Sequence, residues 1–225
     1  MSRLTLRAFA GLLQLLIVLT AVIFVPARTI DYWQGWGFLA VFSASTVAIT
    51  LYLMKRDPRL LERRVNAGPA AEKSLVQRRI QMLAGIAFLA LFIVSGLDHR
   101  FRWSTVPAFV TLFGDLAVVL GLYFVFLVFR ENSFAAGTIE VGADQKLIAT
   151  GPYAIVRHPM YSSALVMLLG TPLALGSWWG LLAIIPMTLV IVWRLLDEEL
   201  FLVKNLAGYT EYQRTVRYHL LPGIW

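Results

Sequence analysis

Six apolar runs of near membrane-spanning length divide this sequence, and they constrain its fold more than any other feature. A helix needs about 20 mainly apolar residues to cross a bilayer. Ala8–Val25, Gly35–Met54, Ile80–Leu97 and Val106–Phe129 meet that need. Tyr161–Gly176 and Trp178–Leu196 follow almost without a break, joined at Gly176-Ser177-Trp178-Trp179, which reads as a tight turn with interfacial aromatics. The fifth run is short and carries Pro172, so the pair reads as a helical hairpin whose first arm is tilted or stops short of spanning. With 59% hydrophobic and 15% charged residues over 225 positions, the chain holds more apolar surface than a soluble core of this size could bury. The expected fold is therefore an all-α integral membrane protein of about five to six transmembrane helices.

Charge sets an orientation. With the N-terminus inside, seventeen of the twenty lysines and arginines fall on the inner segments, eight of them in residues 55–79. Only Arg28, Arg100 and Arg102 fall outside. This asymmetry puts both termini and residues 130–158 in the cytoplasm, in a multi-pass membrane protein. Arg3 and Arg7 before the first run mimic a signal peptide, but the run is long and no small-x-small site follows it, so it reads as a retained helix. The net charge of +7 fits cytoplasmic loops facing anionic lipid better than nucleic acid. The absence of cysteine excludes disulfides, thiolate metal sites and cysteine nucleophiles, and three scattered histidines make no metal site.

Two regions follow from this organisation: residues 1–130, with the basic loop 55–79, and residues 131–225. In the loop, Asp57-Pro58 suits a helix start, and Leu60, Leu61 and Val65 would lie on the membrane with arginines outward, binding headgroups or serving substrate entry. Glu131–Ala149 is a cytoplasmic polar linker, a short hairpin or irregular loop. Residues 159–196 form the hairpin, and Asp197–His219 reads as an amphipathic helix with Leu200, Phe201, Val203 and Leu206 on its apolar face and Gly208 as a break.

Chemistry-bearing groups gather at the cytoplasmic boundary. Arg157-His158-Pro159 places an imidazole at a helix cap and proline at the first position, with Tyr161 one turn in. A helix N-terminus suits an anion, while the same residues also serve as interfacial anchors. Arg194 and Glu198 share a helix face at i,i+4, as a local salt bridge or as ligand-binding groups. Carboxylates near a helix C-terminus oppose its dipole, which favours a continuing helix or a cationic ligand. Asp115, inside the fourth run, is either a helix-packing hydrogen bond or part of a substrate cavity. Glu131 and Asn132 border the linker, with structural and functional roles both open; His99, in the outer turn, is a surface residue. No glycine-rich dinucleotide fingerprint, Walker loop, nucleophile elbow or His-Glu-x-x-His is present.

From Asn132 to the C-terminus, the ordered set Gly151-x-Tyr153, Arg157-His158-Pro159-x-Tyr161, Arg194-x-x-x-Glu198-Glu199 and Tyr209-x-x-Tyr212 resembles the isoprenylcysteine carboxyl methyltransferase family. That family of integral membrane enzymes belongs to a wider group that includes phospholipid N-methyltransferases. Ser163 departs from the pattern, where a glycine is common, and Val216-Arg217-Tyr218 with Leu221-Pro222-Gly223 is similar to bacterial relatives, which implies a bacterial inner membrane. The resemblance implies S-adenosylmethionine as cofactor. It implies that Gln145, Lys146, Leu147, Ile148, Tyr153, His158, Pro159, Met160 and Tyr161 wall the cofactor, with Glu198 and Glu199 completing its site. Arg194, with Asn132, would be catalytic, Arg194 orienting the acceptor, and Arg157 would be a structural cation. The acceptor would be lipophilic or a lipid, isoprenylcysteine-carboxylate-like, with no obligate protein partner. Alternatives are a phospholipid amine, a small thiol, a membrane reductase using NADPH, and a membrane protein without chemistry.

Overall fold

The computed structural model describes residues 3–142 and 145–225. Met1, Ser2 and, within the polar linker, Ala143 and Asp144 lie outside the described residues. Among the described residues the fold is all-α, without β-sheet. The long helices are α1 (Arg3–Ala27), α2 (Trp33–Arg56), α4 (Leu75–Phe101), α5 (Ala108–Glu131) and α7 (Ile184–Asn205). Shorter ones are α3 (Pro58–Val65), α6 (Pro159–Ala174) and α8 (Tyr209–Thr215), with single 3-10 turns at Pro69–Ala71, Gly151–Ala154 and Trp179–Ala183.

Among the described residues, five segments are long and apolar enough to cross a membrane, α7 counting with the 3-10 turn before it. Only 22% to 33% of each apolar window is buried within the protein, so most of this surface, including Leu13, Ile17, Phe109 and Leu189, faces outward, where lipid satisfies it. The interior of the bundle is closed by Leu19, Ile23, Phe38, Leu91, Phe92 and Val118. The chain is thus a multi-pass integral membrane protein.

α6 has 16 residues, or about 24 Å of helix at 1.5 Å per residue, short of a hydrocarbon core of about 30 Å. It compensates by packing against α5 with almost no side chain between the backbones. A Cβ on Gly121 would lie 2.6 Å from Met167 N, and one on Gly170 would lie 2.7 Å from Gly114 O. Small residues permit such an approach, which is how helices associate where no hydrophobic force separates them from lipid. Gly176 then turns the chain at a φ of 65°, which only glycine adopts without strain. Ser177 accepts from Gly180 N at 2.9 Å and donates to Asp98, while the Tyr32 hydroxyl donates to Leu175 O at 2.6 Å.

Three expectations change here. α3 starts as expected, with Asp57 accepting from Leu60 N at 3.0 Å and Pro58 in first place. Its leucines do not lie on the membrane: Leu60 and Leu61 are buried against Ala8, Leu53 and Phe129. The chain reverses at Asp57, which caps both α2 and α3, so α3 folds back over the basic end of the bundle. Second, no amphipathic helix spans Asp197–His219. Residues up to Asn205 continue α7, leaving Leu200 and Val203 exposed, and Gly208 (φ 82°) restarts the chain as the short α8. Third, Asp115 is outside the cavity described below, beside Gly37 of α2, and its Oδ1 is buried without a hydrogen-bond partner among the described residues. Neither role expected for it is realised.

Candidate active site

A cavity of about 640 Å³ opens between the helices at the basic end, a size typical of small-molecule sites. Its walls change character with depth. Phe42 of α2, Phe88 of α4, Leu122 of α5, Met167 of α6 and Ile191 of α7 line the interior of the bundle. At the mouth stand Arg64, Gln81, Asn132, Lys146, Tyr161, Arg194 and Glu198.

Most of the residues expected from the sequence meet here. Asn132, Gln145, Lys146, Leu147, Ile148, Tyr153, His158, Pro159, Met160, Tyr161, Arg194 and Glu198 all line this one cavity. The linker supplies the wall without forming a strand among its described residues. It is held from several sides: Asn132 Oδ1 accepts from Phe134 N at 2.8 Å, and Arg63 and Arg64 donate to the carbonyls of Ser133 and Ala136 at 3.2 and 3.1 Å. Asn132 Nδ2 also donates to the Tyr153 hydroxyl at 2.8 Å. Burial pushes that phenol up to about 12, so it stays neutral across the physiological range.

Arg194 and Glu198 share a face as expected, yet the direct salt bridge between them is absent. Tyr161 stands between, accepting from Arg194 Nε at 3.0 Å and donating to Glu198 Oε2 at 2.6 Å. Arg194 instead pairs with Glu72, from the loop before α4, at 2.9 Å, and also donates to Gln77 Oε1 at 2.8 Å and to Gly137 O at 3.1 Å. Glu72 is 3% exposed. Glu198 lines the cavity, and among the described residues its carboxylate takes a single hydrogen-bond donor, the tyrosine.

Glu199 points elsewhere and is not part of the cavity wall. It takes Arg157 Nε at 2.6 Å and Nη2 at 3.3 Å, meets His158 Nε2 at 3.0 Å and His219 Nε2 at 3.3 Å, and accepts from Gln213 at 3.2 Å. Arg157 adds bonds to the carbonyls of Val216 and Arg217 at 2.9 and 2.8 Å, and its own N–H reaches Tyr218 O at 2.9 Å. This network staples the C-terminal segment to α6 and α7, the structural use expected of Arg157. It also orients His158, which caps α6. Burial pulls the His219 imidazole down, outweighing the nearby Glu199 carboxylate, and the ring stacks on Trp225 at 4.5 Å.

Sequence reasoning missed Glu72, Gln77 and Arg64. One signal pointed to the first two: Glu72 is the sole acid between Glu62 and Asp98, and Gln77 and Gln81 place amides one turn apart at the head of an apolar run.

The sequence pattern of the phospholipid methyltransferase family matches residues 109–208. That stretch runs from α5 through the linker and α6 past the end of α7, and so contains all twelve of the expected residues that line the cavity and Glu199 beside it. The match makes this stretch, less than half of the chain, similar to that family, without specifying the acceptor here. No curated protein matches the chain.

Proposed function

We propose that this protein transfers a methyl group from S-adenosylmethionine to a lipophilic acceptor that reaches the site from the bilayer. The observation that carries this reading is the graded cavity: one space joins a polar mouth to an apolar interior lined from α2, α4, α5, α6 and α7. A polar cofactor and an apolar acceptor can meet only in such a space.

The residues fit the cofactor. Glu198 brings to the cavity wall a carboxylate with one hydrogen-bond donor among the described residues, suited to an ammonium or a ribose hydroxyl. Residues 145–148, Tyr153 and Tyr209 line the same space. When bound, S-adenosylmethionine supplies a methyl carbon activated by its sulfonium. The chain then has little acid–base work to do for a carboxylate acceptor, which carries no proton to remove. Its contribution is placement and exclusion of water: Tyr161 fixes the spacing of Arg194 and Glu198, and the apolar wall holds the acceptor's hydrocarbon. Arg194 orients the acceptor group, and Asn132 keeps Tyr153 and the linker in register. The basic end, on this reading, faces the cytoplasm, and the acceptor that the motif set favours is an isoprenylcysteine-like carboxylate.

The test is transfer of labelled methyl from S-adenosylmethionine into lipid-extractable material by the purified protein in detergent. Thermal-shift measurements with S-adenosylmethionine, its demethylated product and NADPH accompany it. Label in the lipid fraction, with stabilisation by the first two ligands, supports the proposal. Stabilisation by NADPH alone replaces it with a reductase, and label appearing in an amine or thiol product renames the acceptor.

A further inference from the structure

The carboxylate that pairs with Arg194 belongs to the chain itself. Glu72 arrives on the loop between α3 and α4, its side chain almost fully buried, and its Oε1 sits 2.9 Å from Arg194 Nη2. The same carboxylate accepts from Gln81 Nε2 and, through Oε2, from Ile139 N at 3.3 Å. Gly137 O in turn accepts from Arg194 and Gln81, both at 3.1 Å. Three pieces of the mouth therefore meet at one ion pair: the 69–74 loop, the linker at 137–139, and α7. Next door, Lys73 and Glu140 link the same two strands of chain at 3.3 Å, but both are exposed, and such a pair contributes little. The buried pair holds the clasp.

Geometry limits what else Arg194 can bind. Four hydrogen bonds occupy its guanidinium, to Tyr161, Gln77, Glu72 and Gly137, out of five N–H donors. An anionic group entering the cavity has either to exchange with Glu72 or to sit beside a neutralised cation. We propose that Glu72 is the resident counter-anion of Arg194, a positioning residue whose place an anionic acceptor takes, and that this exchange releases the loop and linker across the mouth. The proposal rests on methyl transfer to a carboxylate-bearing acceptor for its biological meaning, but the exchange itself is measurable without any turnover.

The probe is dodecanoate below its micellar concentration, with dodecanol as the uncharged probe of equal chain length. Both are titrated into the wild-type protein and Glu72→Gln in a non-ionic detergent, and the rate of tryptic cleavage after Lys73 is followed. The expected result has three parts. Dodecanoate, and not dodecanol, speeds cleavage of the wild-type loop. Glu72→Gln binds dodecanoate about tenfold more tightly while its affinity for dodecanol is unchanged. Its loop is cleaved fast without any ligand. Equal dodecanoate affinity in the two proteins, or tightening toward both probes alike, overturns the exchange. Should Glu72→Gln not fold, the wild-type comparison still decides, because identical cleavage with either probe refutes it. Thermal stabilisation of the wild type by S-adenosylmethionine is recorded in parallel. Its presence with a failed exchange rejects only the role of Glu72, and its absence with a successful exchange rejects only the cofactor.

Discussion

Glu198 and Glu199 are neighbours in sequence with opposite duties, and replacing each by glutamine separates them. In Glu199→Gln the buried Arg157, 8% exposed, loses its counter-charge while the shape of the site is kept. Removing one partner of a buried pair costs about 3–5 kcal/mol, because the remaining charge stays desolvated. The lower value applies here, since the carbonyls of Val216 and Arg217 still accept from Arg157 Nη1. About 3 kcal/mol corresponds to a fall in Tm of roughly 6–12 °C for a chain of this length. The assay is thermal unfolding in detergent, with tryptic release of the C-terminal segment at Arg214 and Arg217 as a local readout. Glu198→Gln, whose carboxylate meets one tyrosine and the cavity, leaves Tm nearly unchanged. Glu211→Gln, which breaks only an exposed pair with Arg214, is the surface control. A Tm drop in Glu199→Gln no larger than in Glu211→Gln refutes the reasoning, for the staple would then carry no load.

Other outcomes follow from the same geometry. Burial depresses the His219 pKa, so the unfolded chain takes up a proton near pH 6.5 that the folded chain resists; stability is full above that value and falls as the pH drops below it, a decline that His219→Gln flattens in unfolding curves between pH 7.5 and 5. Gly121→Val drives a side chain into the backbone of α6 at Met167 and lowers stability by about 1–3 kcal/mol or more, read by the same unfolding assay. Asp115→Ala removes a buried oxygen without a partner and leaves stability unchanged or raises it by about 1–3 kcal/mol; a clear loss would show that Asp115 has a partner in the membrane. Arg194→Ala retains cofactor binding and loses turnover, seen by comparing calorimetry with methyl transfer.

The membrane helices were legible because lipid rewards a single property, sustained apolarity, and that property is written locally: Val106–Phe129 anticipates α5, and Pro172 with Gly176 marks α6 as the short arm. The cavity wall from Gln145 to Tyr161 and the pair Arg194 and Glu198 were legible as an ordered motif. What the motif could not say is which way each carboxylate turns. Glu198 and Glu199 are separated by about 100° around the helix, and the bend at Asn205–Gly208 that brings Tyr209 and Gln213 onto Glu199, and Tyr212 onto the Tyr153 carbonyl, is a tertiary event. The same holds for Leu60 and Leu61, whose amphipathic pattern fits a membrane surface or a protein surface equally, and for Glu72, which reaches Arg194 across 122 residues. Local pattern finds the elements; the partners of charged groups depend on where the loops return.

The central claim is that the cavity mouth holds S-adenosylmethionine through Glu198. Calorimetric titration of S-adenosylmethionine into the purified wild type and into Glu198→Ala, both shown to be folded by unchanged Tm, tests it most directly. The account predicts saturable binding to the wild type and at least tenfold weaker binding to the variant. Equal affinity in the two proteins, or no binding to either, contradicts it.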